Sequence, residues 1–370
     1  MNIEKLEYEV PTENIKYNKI FLLTDTHFGI RANSLEWAQN QANFFYNFYI
    51  PFLKKNVKKG DILFFLGDWF DNRQLLDIYI MNISIDIIIK LSEILPLYFI
   101  TGNHDIYKKN DTDVNSLRPF RNIDNVKIFE KPTIVTNGNS DILVLPWVGD
   151  KEKEEKYTKY NKADFIFAHT TITGFRYDNG LRIYQGADLT DIKGVKRVIT
   201  GHIHKRQEIG NVIYIGSPYH IKRGDIGNQK GVYILNPENN KIDFFENSMS
   251  SIFQRIPLED LMEYNLEQAY EILNNNYTDI IVPDKYVHKF NLTRFIELLE
   301  DCKYKRIEAR GEKIKIDDDL TSIIDGEDIK DIITLLETSI EDLQYQMEFL
   351  IKIKKINKFY YNKALKEENE

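Results

Sequence analysis

Residues 20–27 read IFLLTDTH, four apolar residues followed directly by a polar cluster that contains Asp25 and His27. The same arrangement recurs at residues 62–71, ILFFLGDWFD, and at residues 97–105, LYFITGNHD. Each apolar run is continuous and does not alternate with polar residues, which predicts a strand that is buried on both faces. These stretches therefore predict a sheet whose strands end in chemically active side chains.

The pattern continues outward along the chain. Further apolar runs occupy residues 165–168, 195–199, 212–215 and 232–235. Helical patterns separate the first three strands, at Leu35 to Lys55 and at Leu75 to Leu95. Because strands and helices alternate, the sequence predicts an α/β domain.

Asp, Asn or His side chains follow five of these strands. In an open α/β sheet the ligand site lies beyond the carboxyl ends of the strands, so we expect these side chains to converge. With seven histidines in 370 residues, chance is a poor explanation for this set of motifs. The candidates are Asp25, His27, Asp68, Asn103, His104, His169, His202 and His204.

The residue types indicate a pair of metal ions. In Asp-x-His and His-x-His the spaced side chains of an extended segment lie on the same side, so each pair can bind one ion or two neighbouring ions. Carboxylate, imidazole and amide ligands suit Mn²⁺, Fe²⁺ or Zn²⁺ better than Ca²⁺. A carboxylate can bridge two ions, as in hydrolytic two-metal centres. Taken singly, Asp25, Asp68 or Asn103 would be ordinary turn or cap residues, and Asp71 and Asp105 either orient ligands or cap turns.

Composition restricts the function classes. The net charge of −8 excludes a surface that is basic overall and binds nucleic acids, but it does not exclude a local basic groove. A single cysteine, Cys302, excludes an internal disulfide and a thiolate zinc cage. Residues 78–95 are too polar to span a bilayer, and residues 1–16 lack the apolar segment of a secretory signal. We therefore expect a cytoplasmic protein with no membrane association.

The pattern changes near residue 253. A smaller α/β unit is expected up to about residue 319, with a helix near Leu292–Asp301 and strands near Ile280–Val282, Lys305–Arg310 and Lys313–Ile316. The C-terminal part then carries an apolar seam with a period of 3.5. It indicates either one amphipathic helix on the core or a helix that docks on another helix or on a coiled coil. The seam consists of Ile329, Ile333, Leu336, Ile340, Leu343, Met347 and Leu350.

These motifs resemble the calcineurin-like metallophosphoesterases. All five sequence blocks of that superfamily, Asp-x-His, Gly-Asp-x-x-Asp, Gly-Asn-His-Asp, a later His and Gly-His-x-His, stand in order over residues 19–236. Within it the chain is most similar to the SbcD-type recombination and repair nucleases, including phage recombination endonuclease subunits. That narrower likeness rests on the segment IYIGSPY at residues 213–219, the small α/β unit and the C-terminal seam.

The resemblance implies a fold and a domain plan. The fold would be a two-sheet β-sandwich flanked by helices, with a small α/β capping domain and a C-terminal helix. The expected parts are an N-terminal extension (1–18), a nuclease domain (19–250), a capping domain (251–319) and a C-terminal helical segment that binds a partner (320–370).

The resemblance also implies the ligand set. Asp25, His27, Asp68 and His204 would hold one divalent ion, and Asp68, Asn103, His169 and His202 would hold the second. Mn²⁺ is the first expectation, with Mg²⁺, Fe²⁺ or Zn²⁺ as alternatives. In this scheme His104 is catalytic and is not a ligand, because it would face the scissile phosphate.

The implied function is a two-metal DNA nuclease in recombination or repair. Its partners would be DNA, an SbcC-type coiled-coil ATPase bound through the C-terminal helix, and in one reading a second copy of the chain. Two other classes compete: a stand-alone phosphoesterase acting on nucleotides or other small esters, and a structural subunit with a relic metal site. Basic residues near the expected opening of the metal site are candidates for binding DNA phosphates: Lys108, Lys109, Lys205 and Arg206.

Overall fold

A computed structural model describes residues 3–108, 111–283 and 305–310. Contacts between Cα atoms divide the chain into two units, Met1–Arg255 and Ile256–Glu370. The strands are β1 Thr12–Asn14, β2 Ile20–Leu23, β3 Ile62–Phe65, β4 Leu97–Ile100, β5 Ile106–Lys108, β6 Asp111–Asn115, β7 Val126–Phe129, β8 Thr133–Thr136, β9 Asp141–Leu145, β10 Phe165–His169, β11 Arg197–Gly201, β12 Gln207–Ile209, β13 Val212–Tyr214, β14 Gly231–Asn236, β15 Lys241–Glu246, β16 Phe253–Pro257, β17 Tyr277–Pro283 and β18 Lys305–Arg310.

The α-helices of the described residues are listed here in chain order. They are α1 Ile3–Glu7, α2 Ile30–Asn33, α3 Leu35–Asn43, α4 Ile50–Asn56, α5 Ile78–Ser92, α6 Lys151–Tyr160, α7 Leu258–Glu263 and α8 Leu266–Asn275. A π-helical segment, Phe44–Tyr49, joins α3 to α4, and two 3₁₀ turns occupy Arg118–Asn122 and Arg223–Asp225.

Two large sheets form the first unit. The six-stranded sheet has the order β15-β14-β2-β3-β4-β7, in which β2, β3, β4 and β7 are parallel. The seven-stranded sheet has the order β1-β8-β9-β10-β11-β13-β12, in which β9, β10, β11 and β13 are parallel. Parallel strands place their carboxyl ends at one edge of each sheet.

The two sheets pack face to face through one apolar layer. Ile20 and Leu22 of β2 lie in the same buried cluster as Val144, Phe167 and Ile199 of the seven-stranded sheet. The intervening β2 residues, Phe21 and Leu23, point the other way and belong to a second buried cluster. Both faces of these strands are therefore buried, as their continuous apolar runs predict.

Helices cover the outer faces of the sandwich. Residues of α3 and α5, such as Ala38 and Ile87, pack in the cluster on the outer face of the six-stranded sheet. The outer face of the seven-stranded sheet is covered partly by the segment between β10 and β11, through residues such as Phe175 and Ile183. The prediction of an α/β two-sheet sandwich flanked by helices is confirmed.

The expected helix at 35–55 is interrupted by the π-helical segment Phe44–Tyr49, which reads FFYNFY. Phe44, Phe45 and Tyr49 are all buried. A π turn is wider than an α turn, and it lets this run direct three bulky rings into the core.

In the second unit, β17 and β18 are parallel neighbours in one sheet. Helices α7 and α8 contribute Leu258, Leu261 and Leu273 to its small apolar core. The expected strands at 280–282 and 305–310 coincide with β17 and β18. The expected helix at 292–301, the strand at 313–316 and the seam from Ile329 to Leu350 lie outside the described residues. The proposed domain boundaries stay predictions.

Candidate metal centre

Five parallel strands of the two sheets end around one buried site. Strands β2, β3 and β4 of the six-stranded sheet are followed by Asp25 and His27, by Asp68, and by Asn103. In the seven-stranded sheet His169 ends β10, and His202 and His204 follow β11. The distances below show that these seven side chains lie together, although up to 179 positions separate them in the sequence.

The first group of side chains, named here the Asp25 group, consists of Asp25, His27, Asp68 and His204. His27 Nε2 lies 3.7 Å from Asp25 Oδ1 and 3.8 Å from Asp68 Oδ2. His204 Nε2 lies 3.8 Å from Asp25 Oδ1. Asp25, His27 and His204 each offer one ligand atom within 4.8 Å of the others, so a single ion could contact all three.

The second group, named here the Asn103 group, consists of Asp68, Asn103, His169 and His202. His169 Nε2 lies 3.2 Å from both Asp68 Oδ2 and Asn103 Oδ1. His202 Nδ1 lies 2.8 Å from Asn103 Oδ1. Asp68 borders both groups, which is the position that a bridging carboxylate needs.

His104 and Asp71 lie beside the Asp25 group. The backbone N–H of His104 donates to Asp68 Oδ1 at 2.8 Å, and its ring Nδ1 lies 2.6 Å from the Asp71 carbonyl oxygen. The Asp71 carboxylate lies 3.1 Å from His27 Nδ1. His27, Asp71 and His104 also offer ligand atoms within 4.8 Å of one another. The half-buried His104 thus borders the site through a ring whose Nδ1 side is already occupied.

The backbone at the site adopts conformations that are uncommon for residues with side chains. Asp25, His27, Asp68 and His202 have φ angles of 51°, 49°, 56° and 91°. Such conformations cost roughly 1–3 kcal/mol each and persist only when surrounding contacts enforce them. Gly102 shows how close the turns approach, because a Cβ atom there would lie 2.1 Å from Asp68 Oδ1. The strained backbone directs the ligand candidates inward.

A buried carboxylate, Asp105, holds two of these turns together. Its Oδ2 accepts N–H bonds from Asp68 at 2.8 Å and Gly102 at 2.9 Å. Its Oδ1 accepts from Trp69 at 3.0 Å and Phe70 at 3.2 Å. Burial and the charge of Asp68 raise the pKa of Asp105, and the backbone donors oppose this rise. Asp105 therefore orients the turn that carries Asp68.

The site has a strongly negative field. Burial alone would lower the pKa of His27, but the carboxylates of Asp25, Asp71 and Asp68 outweigh it and raise the pKa to about 10. Asp68 likewise raises the pKa of His169 to about 9, against the effect of burial. In return the two imidazoles hold the pKa of Asp68 below its ordinary value although burial would raise it. A field that stabilises protonated imidazoles also stabilises metal cations.

His202 behaves differently, because burial and the neighbouring His169 lower its pKa to about 4. A neutral imidazole is the form that binds a metal ion. Trp147 packs against this ring, with centroids 5.1 Å apart. His202 is therefore held neutral next to the Asn103 oxygen.

The residues present fit a two-ion centre. Within the described part of the chain, His27 Nε2 is buried without a hydrogen-bond partner, although two carboxylates face it. Buried polar atoms without partners are rare, and a bound ion would explain this one. The donors are nitrogen and oxygen atoms, the set that suits Mn²⁺, Fe²⁺ or Zn²⁺.

Sequence reasoning missed two residues that support the site. Gln41 of α3 donates from Nε2 to the carbonyl oxygens of Thr26 and His27, at 2.6 and 2.9 Å. The signal in the sequence was that Gln41, a polar residue, lies on the buried face of an amphipathic helix. Asp178, in the segment between β10 and β11, lies 3.4 Å from His204 Nδ1. Its sequence context, Tyr-Asp-Asn-Gly, is typical of a turn and gave no such signal.

The basic candidates have varied surroundings. Lys108 is exposed, and Lys109 lies outside the described residues. Lys205 is half-buried and donates its backbone N–H to Asp178 Oδ1 at 3.1 Å. The Arg206 guanidinium lies 4.5 Å from the centre of the Phe244 ring. Their role in binding DNA stays a prediction.

No helix within the described residues is long and apolar enough to cross a membrane. Comparison with known proteins identifies a family and similar proteins. The calcineurin-like phosphoesterase family model matches residues 18–206. Exonuclease subunit 1 of Enterobacteria phage T4 is 30% identical over 234 residues, which cover 62% of this chain and 68% of that protein.

A solved structure of a protein of unknown function from Aquifex aeolicus is similar to 52% of this chain and 82% of its own, with 18% identity and a TM-score of 0.27. The family model spans the strands and turns that carry all seven ligand candidates. From this match and the phage relative, the chain belongs to the calcineurin-like phosphoesterase family and is a hydrolase of phosphate esters.

Proposed function

We propose that the chain is a two-metal-dependent DNA nuclease that acts in recombination or repair. The observation that carries this proposal is the convergence of six Asp, Asn and His side chains around a seventh, Asp68. The similarity to a phage exonuclease subunit supports DNA as the substrate. The metal groups lie within residues 18–206, the stretch that the family model matches.

The Asp25 group would hold one ion and the Asn103 group the other, with Asp68 between them. When bound, two divalent ions would neutralise charge on the phosphate and lower the pKa of a water molecule. The chain's own residues would arrange these ligands. Asp105 orients the Asp68 turn, and Gln41 fixes the carbonyls around His27.

His104 is proposed to face the scissile phosphate and to donate a proton to the leaving oxygen or stabilise its developing charge. Its Nδ1 is engaged with the Asp71 carbonyl oxygen, so Nε2 is the ring atom available for this role. His104→Ala should lower the rate by about 10²–10⁴-fold, the usual contribution of a general acid. The metal content should stay near that of the wild type.

The test compares the wild type, His104→Ala and Asp68→Ala on linear DNA with Mn²⁺, together with a count of bound metal. Asp68→Ala should lose both ions and all activity. If His104→Ala also loses its metal, the role of His104 is wrong. If wild-type protein binds fewer than two ions, the two-metal assignment is wrong.

A second candidate is a stand-alone phosphoesterase that acts on nucleotides or other small esters, which needs only the family motifs. Linear DNA and bis-p-nitrophenyl phosphate should be assayed side by side with Mn²⁺. The nuclease proposal expects DNA cleavage that weakens steeply with salt, because binding to phosphates releases counterions. Turnover of the small ester with intact DNA would favour the second candidate.

The proposed partner is an SbcC-type coiled-coil ATPase that binds the C-terminal seam. The phage relative is named as a subunit, which supports an assembly with other chains. In full-length protein, Leu343→Asp would place a charge in the seam and should abolish co-purification of such an ATPase. Retention of the ATPase by this variant would contradict the proposed docking mode, and homodimerisation is a separate outcome to be measured by light scattering.

A further inference from the structure

Asp178 faces the side of the His204 ring that points away from the other ligand candidates. Its Oδ2 lies 3.4 Å from His204 Nδ1, while His204 Nε2 faces Asp25 at 3.8 Å. The side chains of Asp178 and His204 are 14% and 15% exposed. The carboxylate and the imidazole therefore meet in a largely water-excluded position.

Two other histidines of the site, one from each group, show what an Nδ1 atom needs here. His27 Nδ1 lies 3.1 Å from the Asp71 carboxylate, and His169 Nδ1 lies 2.7 Å from the Leu66 carbonyl oxygen. In both, an oxygen acceptor on Nδ1 leaves the Nε2 lone pair directed into the site. His204 Nδ1 is buried and has no hydrogen bond among the described residues, so Asp178 is the acceptor within reach.

The chain presents Asp178 on a rigid support. The turn at residues 177–180 is closed by the bond from Gly180 N–H to the Tyr177 carbonyl oxygen, at 2.8 Å. Below the turn, Phe175 and Ile183 pair through their backbones and are both buried. The position of the carboxylate is therefore set by the fold rather than by the metal ligands.

Two further donors restrain the carboxylate. Lys222 Nζ donates to Oδ2 at 2.5 Å, and the Lys205 N–H donates to Oδ1 at 3.1 Å. Lys222 compensates the charge of Asp178 and contacts the same oxygen, Oδ2, that faces His204 Nδ1. These two donors hold the half-buried carboxylate in place beside the ring.

We propose that Asp178 is a positioning residue for His204, whose Nδ1–H it accepts so that Nε2 is fixed as the atom that binds the ion of the Asp25 group. The inference rests on the proposed function, because it takes His204 as a ligand. Carboxylates behind metal-binding histidines fix the tautomer and increase the basicity of the ring. Their loss typically costs 10–100-fold in metal affinity.

The experiment measures Mn²⁺ binding by calorimetry on full-length wild type, Asp178→Ala, Asp178→Asn and Asp188→Ala. Asp188 is the matched control, because it is an exposed carboxylate on the same segment and accepts a bond from Thr190. Asp178→Ala should weaken one of the two ions by 10–100-fold and leave the other unchanged. Asp188→Ala should bind both ions like the wild type.

Nuclease activity provides a second readout of the role of Asp178. The Asp178→Ala variant should regain wild-type kcat at high Mn²⁺ concentration, whereas disruption of the fold would lower kcat at every concentration. Should Asp178→Ala fail to fold, Asp178→Asn decides, because the amide keeps the shape of the side chain but lacks its charge. It should weaken the same ion by several-fold.

Equal affinity of wild type and a folded Asp178 variant for both ions would overturn the positioning role. So would an equal loss of both ions, because that is the effect of a general structural residue. If the wild type itself binds fewer than two Mn²⁺ ions, the proposed two-metal function fails instead. The two failures are therefore separated by the wild-type titration.

Discussion

Asp105 provides the sharpest test of how the fold builds the site. Its carboxylate is 1% exposed and accepts four backbone N–H groups, two on each oxygen. In Asp105→Asn an amide NH₂ replaces one oxygen, so two buried N–H groups lose their acceptor and face a donor. At about 1–3 kcal/mol for each unsatisfied donor, the variant should lose about 2–6 kcal/mol of unfolding free energy.

Asp61 offers a matched control far along the same sheet. It is a buried carboxylate at the amino end of β3 that accepts one N–H on each oxygen, from Lys19 at 3.0 Å and Lys58 at 2.8 Å. Asp61→Asn deprives only one N–H of its acceptor and should cost about 1–3 kcal/mol. It has no bond to the turns that carry the ligand candidates, so its metal affinity should not change.

The assay combines urea unfolding of the metal-free proteins with Mn²⁺ calorimetry at a temperature where every variant is folded. Asp105→Asn should lose both stability and about 10–100-fold in Mn²⁺ affinity, since it misplaces Asp68. Asp61→Asn should lose stability alone. The reasoning is refuted if the two variants lose Mn²⁺ affinity equally, or if Asp105→Asn is as stable as the wild type.

Three other changes test separate contacts. Burial raises the pKa of Glu154 to about 7, so its contribution to stability is present at low pH and is lost as pH rises through 7. Glu154→Gln should therefore raise the free energy of unfolding by about 3 kcal/mol at pH 9 but by little at pH 5, measured by urea unfolding at each pH. Gly102→Ala should abolish Mn²⁺ binding, because its Cβ would collide with Asp68; a metal count near wild type would contradict this. Lys230→Met leaves the buried Asp225 without its cation and should lower the free energy of unfolding in urea by about 3–5 kcal/mol. An unchanged unfolding midpoint would contradict this.

The central strands could be predicted because a strand that is buried on both faces consists of a continuous run of apolar residues. Strands β2, β3 and β4 begin at the predicted residues, and the first two helical stretches lie where periodicity indicates them. Edge strands escaped prediction. Gln207–Ile209 and Lys241–Glu246 carry polar residues and are partly exposed, so they resemble loops in an apolar pattern.

The candidate ligands could be predicted because their types and their place after strands follow from chemistry and topology. The contacts of the supporting residues could not be predicted, because hydrogen bonds to backbone groups leave no recurring spacing in the sequence. Asp105 bonds to N–H groups about 36 positions away, and Asp178 lies 26 positions before His204. The sequence indicates Asp105 as a residue that either orients ligands or caps a turn, and it shows Asp178 only as a turn residue. Assignment of the seven ligands stays a prediction until metal binding is measured.

The left-handed backbone at Asp25, His27, Asp68 and His202 explains why those supports matter. Four such residues cost several kcal/mol together, at roughly 1–3 kcal/mol each, so the turns would relax without opposing contacts. Gln41 and Asp105 supply these contacts from outside the ligand set. The fold therefore holds the ligands in place before any ion binds, and variants of the supports should weaken metal binding more than their distance from the ions suggests.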